Sequence, residues 1–285
     1  MTSALNYATN ATDFDFPEYF GTPSCPFVIA SSSRSGSNML QRALWRTGRA
    51  GAPEEYFTPK YVDDFSRRLP PGALTASGRF DPRAYARLLM RWRTSPNGAF
   101  GVKLHGDHLN LPSLGGLELD SLLEGPRYLW LRRENRVRQA ISYALAIQTG
   151  VWILDGVWLP DASPNPDPPV YRHETILNCI RAIKREEDAW ADYFRRLEVQ
   201  PYNVFYENLV ADYQSAMGQC FTYLGLDAPQ HFSEPGIRAQ SDAINDEWYA
   251  RFMAEGASEK ERRADQDALW HSCGEPTARV RPRRA

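Results

Sequence analysis

Between an apolar run and a helical repeat lies Ser31-Ser32-Ser33-Arg34-Ser35-Gly36-Ser37-Asn38, a set of residue types suited to binding an anion. Backbone N–H groups at a helix start and the helix dipole converge on one spot. Gly36 lets the main chain approach a ligand closely, the serines and Asn38 add hydrogen-bond donors, and Arg34 adds a planar fixed charge. A serine-rich turn also serves as an ordinary helix cap, so both readings stand at this point. The loop has no G-x-x-x-x-G-K-[ST], the lysine and magnesium-binding hydroxyl of a P-loop kinase, and no G-x-S-x-G of a hydrolase elbow. It suits an anionic ligand that needs little metal neutralisation.

A second cationic point follows another apolar run at Arg132 and Arg133, with Ser142 nine residues past Arg133. Lys103 and His105 end a further run. In a doubly wound sheet the carboxyl ends of the strands meet at one crevice, which the anion loop, Lys103, His105 and Arg133 would all border. Two separate clamps imply a ligand with two separated anionic groups, whereas either arginine alone reads as a surface ion pair.

The elements that must position these residues follow from periodicity. Phe27–Ala30, 99–104, Tyr128–Leu131 and Val204–Tyr206 read as strands, alternating with helical segments, the pattern of a mostly parallel α/β sheet covered on both faces. Met39, Leu40, Ala43 and Leu44 mark a helix that stops at Gly48, and Val137, Ile141, Ala144 and Leu145 mark one that stops near Gly150. Asp81-Pro82 reads as the cap and first residue of a helix running to about Trp92. A long helix carries Ile176, Ile180, Ile183, Trp190, Phe194 and Leu197 on one face, and Glu187 falls on that stripe. A carboxylate there must be paired or face a polar cavity, and pairing with an arginine is the expectation. Pro70 to Gly78 and Pro160 to Pro169 read as long surface loops, either substrate-contacting or simply connecting. Trp152 and Trp248 are expected in the core, with an acceptor pocket as the other place for them.

With 285 residues, 42% hydrophobic and 24% charged, the chain can bury one substantial core and is neither disordered nor fibrous. A net charge of −2 gives no long-range pull toward nucleic acid or an anionic membrane. No apolar stretch is long enough for a membrane span and the first 16 residues do not resemble a signal peptide, so a cytoplasmic protein is expected. Cys25, Cys179, Cys220 and Cys273 lie far apart without metal-ligand spacing, which predicts reduced thiols and no metal site. Arg279, Arg281, Arg283 and Arg284 make a basic tail that reads as a solvated end.

The anion loop, followed by R-x-x-x-x-x-x-x-x-S after a later strand, resembles the donor site of sulfotransferases that use 3′-phosphoadenosine 5′-phosphosulfate (PAPS). An ordered set of short segments is similar to the bacterial trehalose 2-sulfotransferase-like family. These are Arg34-Ser35-Gly36-Ser37, Ala50 to Phe57, Pro96-Asn97-Gly98 with Gly101 to Leu104, Gln139 to Tyr143 with Ala146 to Thr149, Val151-Trp152, Glu187 with Trp190, and Asp246-Glu247-Trp248. The resemblance implies the sulfotransferase fold, P-loop-like with a mostly parallel sheet flanked by helices. It implies an N-terminal extension over 1–26, a sulfotransferase domain over 27–255, and a C-terminal segment with the basic tail over 256–285.

By that resemblance Ser35, Gly36, Ser37 and Asn38 bind the 5′-phosphosulfate with Arg34 as the cationic loop residue, and Arg133 and Ser142 hold the 3′-phosphate. Tyr206-Glu207-Asn208-Leu209 resembles a Y-E-x-L segment placed near the adenine. Glu55 occupies the second acidic place of a G-E-P-x-E-F-F segment and is the first candidate for the base, while Ala52 replaces the first acid, which the family associates with its sugar acceptor. His105, in Lys103-Leu104-His105, resembles the K-x-H base of animal and plant cytosolic enzymes and is the second candidate. The implied reaction is in-line transfer of a sulfuryl group from PAPS to a hydroxyl of a carbohydrate, glycolipid or related small molecule, with Arg34 and Lys103 stabilising the leaving oxygen and no metal required. A homodimer is also implied. A magnesium-dependent sugar or small-molecule kinase and a non-catalytic nucleotide-binding protein are the alternatives.

Overall fold

The computed structural model describes residues 12–68, 75–76, 79–152, 167–233 and 243–255. Its centre is strand β1 (Cys25–Ser31), buried along its whole length, as a strand covered on both faces must be. β1 pairs in parallel with β4 (Ala99–His105) on one side and β5 (Arg127–Arg132) on the other, and β5 pairs in parallel with β6 (Tyr202–Phe205). The sheet order is therefore β4-β1-β5-β6. Register places Ser31 opposite His105 and Arg132 opposite Phe205, so the carboxyl ends of all four strands lie along one edge of the sheet.

Alternate residues of each strand face opposite sides and build two cores. Val28, Ala30, Val102, Leu104 and Tyr128 pack with Trp190 and Phe194, while Phe27, Ile29, Leu129 and Leu131 pack with Leu40, Leu44, Met217 and Phe221. Helix α6 (His173–Arg196) covers the first core, and α1 (Ser37–Arg46) and α8 (Tyr213–Leu224) cover the second, while α5 (Arg136–Thr149) packs against α6 and α7 (Tyr206–Ala211) follows β6. Trp190 is fully buried and its indole N–H donates to the Ser31 carbonyl at 3.1 Å, tying α6 to the end of β1. Truncating a tryptophan so placed costs about 3–5 kcal/mol.

Helix α3 (Pro82–Arg93) starts as its sequence predicts, with Asp81 Oδ1 accepting from the Arg83 and Ala84 N–H groups at 2.9 and 3.1 Å. Its end receives the N-terminal segment, whose Phe16 and Tyr19 N–H groups donate to the carbonyls of Trp92 and Arg91. Helices α2 (Pro59–Ser66) and α4 (Leu119–Leu123) complete this side. Residues 1–240 make one compact unit and residues 241–285 another, of which α9 (Ala243–Glu255) is described, with Trp248 and Phe252 buried.

Three expectations change. The fourth strand ends at Phe205, and Tyr206 begins α7 instead of ending the strand, because the chain turns helical once it passes the sheet edge. Inside Pro70 to Gly78, expected to be a long surface loop, lies β2 (Thr75–Ala76), which pairs antiparallel with β3 (Arg79–Phe80) just past its end. Trp152 is not in the core: it follows the left-handed Gly150 that ends α5, remains 37% exposed, and its ring meets Tyr143 edge-on. Most of the second long loop, Cys273 and the basic tail fall outside the described residues, whereas Cys25, Cys179 and Cys220 are buried and unbonded to one another. No helix among the described residues is long and apolar enough to cross a membrane.

Candidate active site

The loop from Ser31 to Ser37 is shaped by two left-handed residues, Arg34 at φ 62° and Gly36 at φ 98°. At Gly36 only glycine fits, since an added Cβ would lie 2.5 Å from Tyr206 Cδ2. Two side chains brace the loop from behind. Gln139 Nε2 donates to Ser32 Oγ and the Ser33 carbonyl at 2.9 and 2.7 Å. Glu186 accepts from the Ser33 N–H and hydroxyl at 2.6 and 2.9 Å. Burial, opposed by those bonds from Ser33 and reinforced by Asp107 and Glu187, raises the Glu186 carboxyl to about 7. Ser35 Oγ, within the loop, is buried without a hydrogen-bond partner. An orphaned hydroxyl beside an opened helix N-terminus and a Cβ-free main chain is the condition of a site made for an anion.

Two cationic groups flank the loop. On one flank, Arg34 Nε donates to Ser142 Oγ at 3.1 Å and its Nη1 donates to the Trp152 carbonyl. Arg133 lies close enough that burial first, and then its like charge, lower Arg34 to about 10. The Arg133 guanidinium stacks 4.5 Å from the Tyr206 ring centroid, and its Nε is buried without a hydrogen bond, 3.9 Å from Glu207 Oε1. Glu207 is engaged by the main-chain N–H groups of Glu134 and Asn135 at 3.1 and 3.3 Å, which fixes the turn into α5. Arg34, Arg133 and Ser142 therefore come together as one cluster.

On the other flank, nearly buried Lys103 donates from Nζ to Asn38 Oδ1 and lies 3.0 Å from Glu55 Oε1. Glu55 is held there by its main chain: the Lys103 N–H donates to the Glu54 carbonyl at 2.9 Å, and Ala52 N–H to the Arg93 carbonyl at 3.2 Å. The segment from Ala50 to Phe57 thus runs beside β4. Gly51, at φ 61°, allows this approach, as a Cβ there would meet the Ala99 and Arg93 carbonyls. His105 Nε2 stands 3.5 Å from the same Glu55 oxygen. Burial alone would raise Glu55, but Lys103, His105 and His108 overcome it and hold the carboxyl at about 2. Burial lowers His105 to about 4 despite the opposing pull of Glu55, so the imidazole is neutral near pH 7.

The structure brings every expected site residue to this edge in two groups, as the two expected clamps require, but Arg34, expected beside Lys103, belongs to the other group because its left-handed backbone turns the guanidinium toward Ser142 and Arg133. Glu55, Lys103, His105 and Asn38 sit together, and Arg34 sits with Arg133, Ser142 and Tyr206. Glu187 is paired as expected, accepting from Arg136 Nη2 at 2.7 Å. Reading the sequence did not single out Glu186, and it named Gln139, Ser31 and Glu54 only within longer segments, without the roles the structure gives them. Glu54, adjacent to Glu55 in the same acidic segment, accepts from the Tyr61 hydroxyl and from the Glu55 N–H, and burial raises its carboxyl. Adjacent acids in a buried segment were the available signal. Gln139 opens one of the family-like segments, but its hydrogen bonds to Ser32 and Ser33 span more than a hundred residues and leave no local mark.

A family model described as Stf0 sulphotransferase matches residues 26–255. The chain is 27% identical to a trehalose 2-sulfotransferase of Mycolicibacterium smegmatis over 259 residues, covering 79% of this chain and 93% of that protein. It is also 27% identical to a trehalose 2-sulfotransferase of Mycobacterium tuberculosis, covering 81% and 95%. Among solved structures, the sulfotransferase domain of a Synechococcus olefin synthase is similar at 16% identity and a TM-score of 0.48, over 92% of each chain. Mouse sulfotransferase SULT7A1, complexed with PAP, is similar at 12% identity and a TM-score of 0.42, over 95% of this chain and 89% of that one. The match spans the whole parallel sheet and both flanks of the anion loop, and on it the chain belongs to the Stf0 sulphotransferase family, an enzyme family of sulfotransferases with the α/β fold described above.

Proposed function

We propose that the chain transfers the sulfuryl group of PAPS in line to a hydroxyl of a carbohydrate or related small molecule. The observation that carries the donor is the pair of anion-ready points: the buried unpartnered Ser35 hydroxyl in the Gly36 loop, and the Arg34, Arg133 and Ser142 cluster beside it. A ligand with a 5′-phosphosulfate and a 3′-phosphate presents one anion to each. When bound, PAPS supplies an activated sulfur with a phosphate leaving group. Ser35, Gly36, Ser37 and Asn38 hold the 5′ group through the loop and helix N-terminus. Arg34 joins Arg133 and Ser142 on the 3′ side, and the Tyr206 ring, between Gly36 and Arg133, walls the gap between the two.

Lys103, pinned by Asn38 and Glu55, places a positive charge where the leaving oxygen gains charge, an interaction worth more in the transition state than in the ground state. Glu55, ionised near pH 7, is the base that takes the acceptor proton. The trehalose 2-sulfotransferase names of two relatives support a carbohydrate acceptor. A cytoplasmic homodimer completes this reading.

Thermal stabilisation by 3′-phosphoadenosine 5′-phosphate (PAP) in chelator, set against ATP with magnesium, tests the donor. A shift with PAP and none with ATP is expected, and the reverse overturns the proposal. Transfer of radiolabel from PAPS to a panel of sugars that includes trehalose then tests the acceptor.

A further inference from the structure

We propose that Glu55 and His105 are not alternative bases but one proton-sharing pair, and that the Ser31 hydroxyl is the positioning residue that sets the His105 tautomer for it. The inference deepens the reading above and rests on it for the reaction, though its geometry stands on the chain alone.

Ser31 Oγ has one proton and two neighbours, the Leu104 carbonyl at 3.2 Å, which can only accept, and His105 Nδ1 at 2.9 Å, which donates or accepts according to the tautomer. We assign the hydroxyl proton to the carbonyl, which makes Oγ the acceptor from Nδ1. On that assignment Nδ1 carries the ring proton, and in the neutral imidazole Nε2 is bare. That bare nitrogen faces Glu55 Oε1 at 3.5 Å. Two acceptors at this separation make no bond to each other, but a proton placed between them makes a charge-assisted one.

Lys103 Nζ, 3.0 Å from Glu55 Oε1, keeps the carboxylate ionised. His108 Nδ1 accepts the His105 main-chain N–H at 3.2 Å, so the His108 ring proton sits on Nε2, 3.7 Å from Asp107 Oδ1, and not toward His105. Glu55, Lys103, His108 and Asp107 are the ionisable groups that face the imidazole.

As the acceptor oxygen bonds to sulfur, its O–H bond breaks and the proton passes to Glu55 and across to His105 Nε2. The electron pair of the breaking sulfur–oxygen bond leaves with the phosphate of the donor. Glu55 is left ionised between Lys103 and an imidazolium, and the buried imidazolium gives its proton to water once the products depart. This answers a difficulty of the lone carboxylate: held at about 2, it keeps a proton poorly, whereas a neutral ring beside it offers the proton a second site.

The test uses the full chain with ¹⁵N-labelled histidine, of which there are five, with His105→Gln to assign the signal. Near pH 7 the His105 ring is expected to carry its proton on Nδ1 and none on Nε2; a proton on Nε2 overturns the pair. Glu55→Gln is expected to move the His105 titration to lower pH, and an unmoved titration overturns the pair even in an enzyme that transfers sulfate. Ser31→Ala is expected to mix the tautomers and to lower kcat with an accepting sugar at least about 10-fold, toward the ~10⁴ that a wrong tautomer costs a catalytic triad, with the acid limb of the kcat profile displaced and KM for PAPS within about twofold. Unchanged kcat and pH profile in Ser31→Ala overturn the role of Ser31. If the tautomer and the coupling are as stated but no sulfate is transferred from PAPS, the functional reading fails and the pair does not.

Discussion

Arg133→Ala separates a 3′-phosphate clamp from a merely structural arginine. In the structure Arg133 makes one long ion pair, 3.9 Å to Glu207, and one stack, 4.5 Å over Tyr206. A long ion pair contributes about 0–1 kcal/mol, so the variant is expected to fold and to melt within a few degrees of the parent. Against a phosphate, each lost charge-assisted hydrogen bond costs about 1.5–3 kcal/mol, or roughly 10- to 150-fold in Kd. Loss of the stack on Tyr206, about 0.5–1 kcal/mol, affects any adenosine ligand alike and accounts for roughly 2–5-fold. Titration calorimetry with PAP and with adenosine 5′-phosphosulfate, which lacks the 3′ group, reads the difference. Affinity for PAP is expected to fall at least about 10-fold further than that for adenosine 5′-phosphosulfate. Equal losses for both ligands would refute the assignment, and with it the clustering of Arg34, Arg133 and Ser142 around one phosphate.

Glu55→Gln is expected to lower kcat by ~10²–10⁴ while PAP affinity changes little, and a collapse of PAP affinity would make Glu55 structural instead. Gly36→Ala forces a Cβ into a left-handed position, about 1–2 kcal/mol of strain, and pushes Tyr206 off Arg133, so both the melting temperature and PAP affinity are expected to drop; a variant that binds PAP like the parent contradicts the tight loop. Stability against pH reports on Glu186. Its carboxyl is raised to about 7 by burial, so the stability it contributes is fully present below the ordinary value near 4.5 and is lost as pH rises through about 7. The melting temperature of Glu186→Gln relative to the parent is therefore expected to rise between these pH values, and a constant gap across them contradicts the assignment.

Much of this site is written locally. Strand, Gly-containing turn and helix start are adjacent in sequence, so the anion loop and its glycine were legible from Ser31 to Asn38, and the parallel sheet from apolar runs alternating with helical periodicity. The Glu187 pair was legible because a carboxylate on an apolar stripe needs a partner, although its identity, Arg136, was not. What the sequence could not supply is which charges share a ligand. Arg34 sits two residues from Gly36, yet the left-handed turn at Arg34 sends its guanidinium to Ser142, 108 residues away, while Lys103 from a neighbouring strand takes the place beside Asn38 and Glu55. Glu186 and Gln139 brace the loop from two helices, and Ser31 meets His105 because β1 and β4 pair in that register. Local propensity and hydrophobic periodicity act over a few residues and set the elements by themselves; pairing register and helix packing act across a hundred or more, and only they decide which side chains meet and how far burial moves a proton.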